Sequence, residues 1–172
     1  MKRRPIPVLI VVALLAVLAC KRAPQQDVNE ESSLDRVNQG PRLAPQRVTH
    51  GISRLDKSQK FPFDLPAHAL TPRLRGNYSS FVQGTGGARI SDESADVELL
   101  VMSEDQYDAF TNRRSAESLY AIEPSHDHGV SISLPATQAD AVHYYVVFRR
   151  SNDGKSPIWV NADLNVVFEA SP

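Results

Sequence analysis

The chain is poor in the features that usually announce a chemistry. It holds a single cysteine, Cys20, among 172 residues, so an internal disulfide is excluded. No apolar run reaches the roughly 20 residues that a membrane-crossing helix requires. The longest, over residues 6–19, is 14 residues. There is no Gly-x-Ser-x-Gly elbow for a serine nucleophile. The glycine-rich stretch Gly84-Thr85-Gly86-Gly87 is followed by no lysine and does not spell a phosphate loop. A basic excess is missing too. Residues 59–172 carry nine basic and 15 acidic groups, a net −6, and residues 20–58 carry seven and five, a net +2. An acidic domain without a basic stripe in its sequence argues against nucleic acid as a partner, since that binding runs on phosphate neutralisation.

What the chain does have begins at its first residues. Met-Lys-Arg-Arg-Pro is a positive patch, and the short apolar run behind it ends in small residues. That order is the layout of a secretory signal. Val17-Leu18-Ala19-Cys20 resembles the lipobox of bacterial lipoproteins. The resemblance implies a diacylglycerol on the Cys20 sulfur, cleavage after residue 19, and acylation, commonly with palmitate, of the new amine. Lys21, rather than an acidic residue, follows the cysteine, and in this family that favours the outer over the inner membrane. The expectation is therefore a cleaved signal peptide over residues 1–19 and a protein held in the bacterial cell envelope by acyl chains on Cys20.

Residues 20–58 contain Pro24, Gly40, Pro41, Pro45 and Gly51 among polar residues, with no sustained apolar period. They read as a flexible tether, and the 38 residues after Cys20 span on the order of 35 Å. From residue 59 the pattern changes to short alternating runs separated by turn residues, the signal of an all-β sandwich or barrel. The clearest is 158–169: Ile158, Val160, Ala162, Leu164, Val166 and Phe168 share one face, while Trp159, Asn161, Asp163, Asn165, Val167 and Glu169 share the other. The β-rich run 143–148 precedes it, and the loop around Asn152-Asp153-Gly154 predicts that the two pair as a hairpin. Alternation also predicts strands over 96–102, 129–134 and 74–82. Pro62 makes 61–65 an edge strand or a lead-in to one. Ser103 with Gln106 three residues on is a capping box and predicts one short helix ending near Arg113. The Gly-rich residues 83–88 read as a mobile loop. The expected fold class is all-β, an antiparallel two-sheet β-sandwich with one short helix, preceded by the tether and occupying residues 59–172.

From Leu70 onward the layout resembles GOLD-type β-sandwich domains. Leu74-Arg75-Gly76-Asn77-Tyr78, the strand and acidic helix of 96–112, and Tyr144-Tyr145-Val146-Val147-Phe148 with its late strand pair carry the likeness. That resemblance implies an adaptor or cargo-binding role rather than catalysis.

Candidate chemistry is sparse. His126-Asp127-His128 could contribute two imidazoles to a metal site, but its neighbours Pro124-Ser125 and Gly129 read as an exposed loop, and no metal or other cofactor is expected. The carboxylate pairs Asp92/Glu93 and Glu104/Asp105 read as turn and helix-start caps rather than as glycosidase acids. If 143–148 and 158–169 pair, His143, Tyr145 and Arg149 line up beside Trp159, Asn161 and Asp163 on one outer face. Trp, Tyr and Arg are enriched at binding hot spots, and Asn/Asp beside an aromatic platform suits sugar hydroxyls. The expected function is a lipid-anchored binding or accessory module for an envelope protein or a glycan. The rival class is a hydrolase or metal-dependent enzyme whose site is assembled from loops.

Overall fold

The computed structural model describes residues 43–154 and 156–168. The expected signal peptide, the lipidated Cys20 and the tether as far as residue 42 lie outside these residues. The strands are β1 (Gln46–Leu55), β2 (Ser58–Leu65), β3 (Pro72–Gln83), β4 (Arg89–Ile90), β5 (Val97–Ser103), β6 (Tyr120–Ser125), β7 (Asp127–Ser133), β8 (Val142–Arg150) and β9 (Ile158–Phe168), with one helix, α1 (Glu104–Thr111). They form two antiparallel sheets. The first runs β1-β9-β3, with β4 and β7 both pairing to the far edge of β3, and the second runs β2-β8-β5-β6.

Alternation explains how the two layers close. Ile158, Val160, Ala162, Leu164 and Val166 of β9 are buried, and so are Tyr144, Val146 and Phe148 of β8 and Val97, Leu99 and Val101 of β5. All belong to one apolar cluster that fills the space between the sheets. Burying a strand's apolar face against another sheet is what stabilises such a sandwich. Gly76 sits on the inward face of β3 opposite Leu164. With φ at +146°, a Cβ there would stand 1.9 Å from the Asp163 carbonyl oxygen, so only glycine allows β3 and β9 to approach at this point.

The expected helix forms with its capping box: Ser103 N–H donates to Gln106 Oε1 at 2.9 Å, and Gln106 N–H donates to Ser103 Oγ at 3.4 Å. Glu104 and Asp105 occupy its first turn, where carboxylates meet the positive end of the helix dipole. Tyr107 and Phe110 of α1 pack on Leu100, Met102 and Val147, which covers part of the outer face of the second sheet.

Two expectations are corrected. The folded unit starts inside the segment read as tether, because residues 46–55 pair along β9. The inward positions of β1 are Thr49, Gly51, Ser53 and Leu55, with a bulge at Val48. One large apolar side chain in four is too little to mark a strand, and its stability comes from backbone pairing with β9. Second, β8 and β9 are not a hairpin. β8 pairs with β2 and β5, and β9 with β1 and β3. Residues 151–157 instead cross from one sheet to the other, held by Asn152 Nδ2 donating to the Ser94 carbonyl and Ser151 Oγ donating to the Asp96 carbonyl. Residues 83–88, the expected loop, connect β3 to β4 through a 3-10 turn at Thr85–Gly87, with Gly84 N–H donating to the Ala88 carbonyl at 2.8 Å.

Candidate functional site

The inward faces of β8 and β9 do share a core, as their parity requires, but they meet across the sandwich rather than side by side. Their outward faces therefore point in opposite directions. The predicted single platform is divided: Trp159, Asn161 and Asp163 stand on the outer face of the first sheet, and His143, Tyr145 and Arg149 on that of the second.

On the second sheet the three residues are engaged locally. His143 Nδ1 bonds the Asp64 carboxylate, and the His143 ring meets Tyr145 edge-on at 4.8 Å. Tyr145 packs on Tyr107 of α1 with ring centroids 4.5 Å apart, and Lys60 Nζ lies 4.5 Å and 4.9 Å from the two tyrosine rings. Arg149 Nε donates to Glu98 Oε2 at 2.7 Å, and its guanidinium sits 6.0 Å from the Phe110 ring. Beside this pair, Leu100, Met102, Phe110 and Ala121 floor an open groove of about 430 Å³.

The first sheet presents a different surface, built in register across three strands. Arg54, Trp159 and Phe81 form one row, Ile52, Asn161 and Ser79 the next, His50, Asp163 and Asn77 the third, and Arg47, Asn165 and Arg75 the fourth. His50, Ile52, Asn161, Asp163, Asn77 and Arg75 are exposed, and Trp159 is half-buried. Ile52, at 49% exposure, is one of the few large apolar side chains that face solvent. The polar groups orient one another: His50 Nδ1 lies 3.4 Å from Asp163 Oδ2, and Asn165 Nδ2 donates to Asp163 Oδ1 at 3.1 Å. Beyond β3, Gly129 of β7 faces Asn77, and nothing lies within 4 Å of where its Cβ would be. Arg89 stacks over Phe81 at 4.6 Å. Asn161, Asp163 and Asn77 thus offer donors and acceptors to a ligand lying flat, with Trp159 and Ile52 as the apolar end. Sequence reasoning missed His50, Ile52 and Arg54 because β1 was assigned to the tether, and Asn77 and Ser79 because nothing in the pattern pairs β3 with β9.

The histidine cluster lies at a corner where the chain passes from β6 in one sheet to β7 in the other, not in a loop. His126 Nδ1 bonds Asp96 Oδ1 at 2.9 Å, and the His128 ring stacks on buried Tyr78 at 6.2 Å. Among the described residues no group of three His, Cys, Asp or Glu is placed to hold a metal ion. Asp92 accepts from Ser94 N–H at 2.9 Å and also from its Oγ, and these bonds hold its carboxyl below the usual range.

No family model matches the chain, and no curated protein matches it in sequence. Among solved structures it is similar to TmCBM61 in complex with beta-1,4-galactotriose, a carbohydrate-binding module, with a TM-score of 0.41 and 10% identity over 69% of each chain.

Proposed function

We propose that the chain is a lipid-anchored envelope protein whose β-sandwich binds a glycan on the outer face of its first sheet. The observation that carries this reading is the four-row surface of β1, β9 and β3. Exposed amide, carboxylate and imidazole groups there sit in register beside a half-buried tryptophan. Sugar rings present hydroxyls around the rim and C–H groups on the face, so they need this mixture of hydrogen-bonding side chains and a flat apolar neighbour. The side chains project from strands of a packed sheet and are thereby pre-oriented, which lowers the ordering entropy lost on binding. Anchoring rests on the basic, apolar, small-residue and cysteine order of the first 20 residues.

Affinity electrophoresis of the full-length chain, in gels carrying a panel of neutral and acidic polysaccharides, tests the reading. At least one polymer retards the wild type. Asn161→Ala combined with Asp163→Ala abolishes that retardation without changing the melting temperature by more than a few degrees. A wild type retarded by none of the panel, or a double variant retarded as strongly as the wild type, refutes it.

A further inference from the structure

We infer that the ligand of this face is an acidic polysaccharide, an inference that rests on the glycan reading above and names the class of glycan. The chain's charge is not spread evenly over the two sides of the sandwich. The outer face of the first sheet gathers Arg47 and Arg54 from β1 and Arg73 and Arg75 from β3, against Asp163 of β9, Asp127 of β7 and Asp56 just after β1, whose carboxylate accepts from Arg54 Nε at 3.0 Å. Arg47, Arg54 and Arg75 are exposed. The opposite side carries Asp64, Glu98, Glu104, Asp105, Asp108 and Glu123 on β2, β5, α1 and β6, against Lys60 of β2 and Arg149 of β8 as the basic members of its strands. A domain that is acidic as a whole therefore turns a basic face outward on the same sheet that carries the hydrogen-bonding rows.

The spacing of these charges adds a second argument. Arg54 stands in the row of Trp159, and Arg47 and Arg75 flank Asn165, six residues further along β9. At about 3.4 Å per strand residue, the two basic ends lie roughly 20 Å apart. Between them run the polar rows of Asn161 and Asp163. A small anion would be gripped at one point. Positive charges separated by a hydrogen-bonding track, in which the Asp163 carboxylate is engaged by His50 and Asn165, suit a polymer that repeats its carboxylates and offers hydroxyls between them. Guanidinium groups match carboxylates in geometry and can bond them through two N–H groups. Two of these arginines come from β1, the strand with the least visible sequence pattern, so the basic face exists only once β1 pairs with β9.

The test measures retardation of the full-length chain by polygalacturonate, alginate and hyaluronate, each beside its carboxyl-reduced, neutral counterpart. Double-stranded DNA serves as a polyanion that is not a glycan of this kind. The expected result is binding to an acidic polymer roughly tenfold tighter than to its reduced form, as two surface charge contacts together allow. The preference shrinks as salt rises. Arg47→Gln with Arg54→Gln removes most of the preference, and Arg47→Lys with Arg54→Lys retains part of it, which separates charge from a folding defect. Equal binding of acidic and reduced polymers overturns the acidic assignment and leaves the glycan reading standing. Binding to DNA as tight as to the acidic polymer overturns it too, since charge alone would then suffice. Failure to bind any glycan, acidic or neutral, sinks both.

Discussion

At the scale of single residues, the sandwich separates side chains that hold the fold from side chains that face out, often by one position. Leu164 is fully buried between the sheets, while Asn161 and Asp163 on the same strand are exposed. Leu164→Ala removes packed methyl groups and leaves a cavity, so it destabilises by about 2–5 kcal/mol, whereas Asn161→Ala changes stability by less than about 0.5 kcal/mol. Urea titration of both variants checks the order. Tyr78 is a sharper probe because it is buried at 1% exposure and carries an ionisable group. Burial, with Asp96 and Asp127 adding to it, pushes its phenol up from 10.0 to about 12. The folded state therefore holds the proton more tightly than the unfolded chain does. Its contribution to stability is complete below pH 10 and is lost as pH rises towards 12. Tyr78→Phe, which has no proton to lose, shifts the alkaline unfolding midpoint upward relative to the wild type. Equal midpoints in a pH series followed by circular dichroism contradict the assignment.

At the scale of elements, the edge strands mark where local pattern stops being informative. β2 contains Pro62 and pairs with β8 alone, as a proline confined to an edge requires. β6 also carries a proline, Pro124, and pairs with β5 alone, yet its mixed exposure pattern left it unread in the sequence. β1 is the more consequential case. It shields one side of β9 with a full-length antiparallel ladder and contributes Leu55 and Thr49 to the buried set. A chain cut back to residue 43 keeps a cooperative thermal transition, whereas one beginning at residue 59 loses it, because β9 becomes an unprotected edge and the core opens. Differential scanning calorimetry of the two shortened chains distinguishes these outcomes. A cooperative transition in the shorter chain would restore residues 43–58 to the tether.

At the scale of the whole molecule, the two outer faces of the sandwich differ in cover and charge. The second sheet is partly roofed by α1 and its side of the sandwich bears Asp64, Glu98, Glu104, Asp105, Asp108 and Glu123, and the first offers its polar rows to solvent. Tethering the N-terminus to a membrane through Cys20 would confine the domain near the envelope polymers that the first sheet is proposed to bind. Cys20→Ser is expected to leave the signal uncleaved at this site and to abolish lipid incorporation, measured by metabolic labelling with an alkyne fatty acid. A wild-type protein that takes up no label, and that salt washes free of membranes, rules out the anchor, since stably lipidated proteins resist such washing.

The amino-acid sequence by itself determined everything that depends on period and on neighbours along the chain. Six apolar residues in alternation specify β9 and its buried face, Ser103 and Gln106 specify the start of α1, and Pro62 confines β2 to an edge. These are local rules, satisfied within a few residues of backbone. Which strands lie side by side was decided only by tertiary structure. The even-numbered faces of β8 and β9 can meet within one sheet or across two, and parity is satisfied either way. The crossover at residues 151–157 selects the second arrangement, sends Tyr145 and Trp159 to opposite sides, and replaces the expected platform with one that combines β9 with β1 and β3. The binding face could not be read from alternation because it is made of long-range pairings, and alternation constrains only which side of a strand a residue faces.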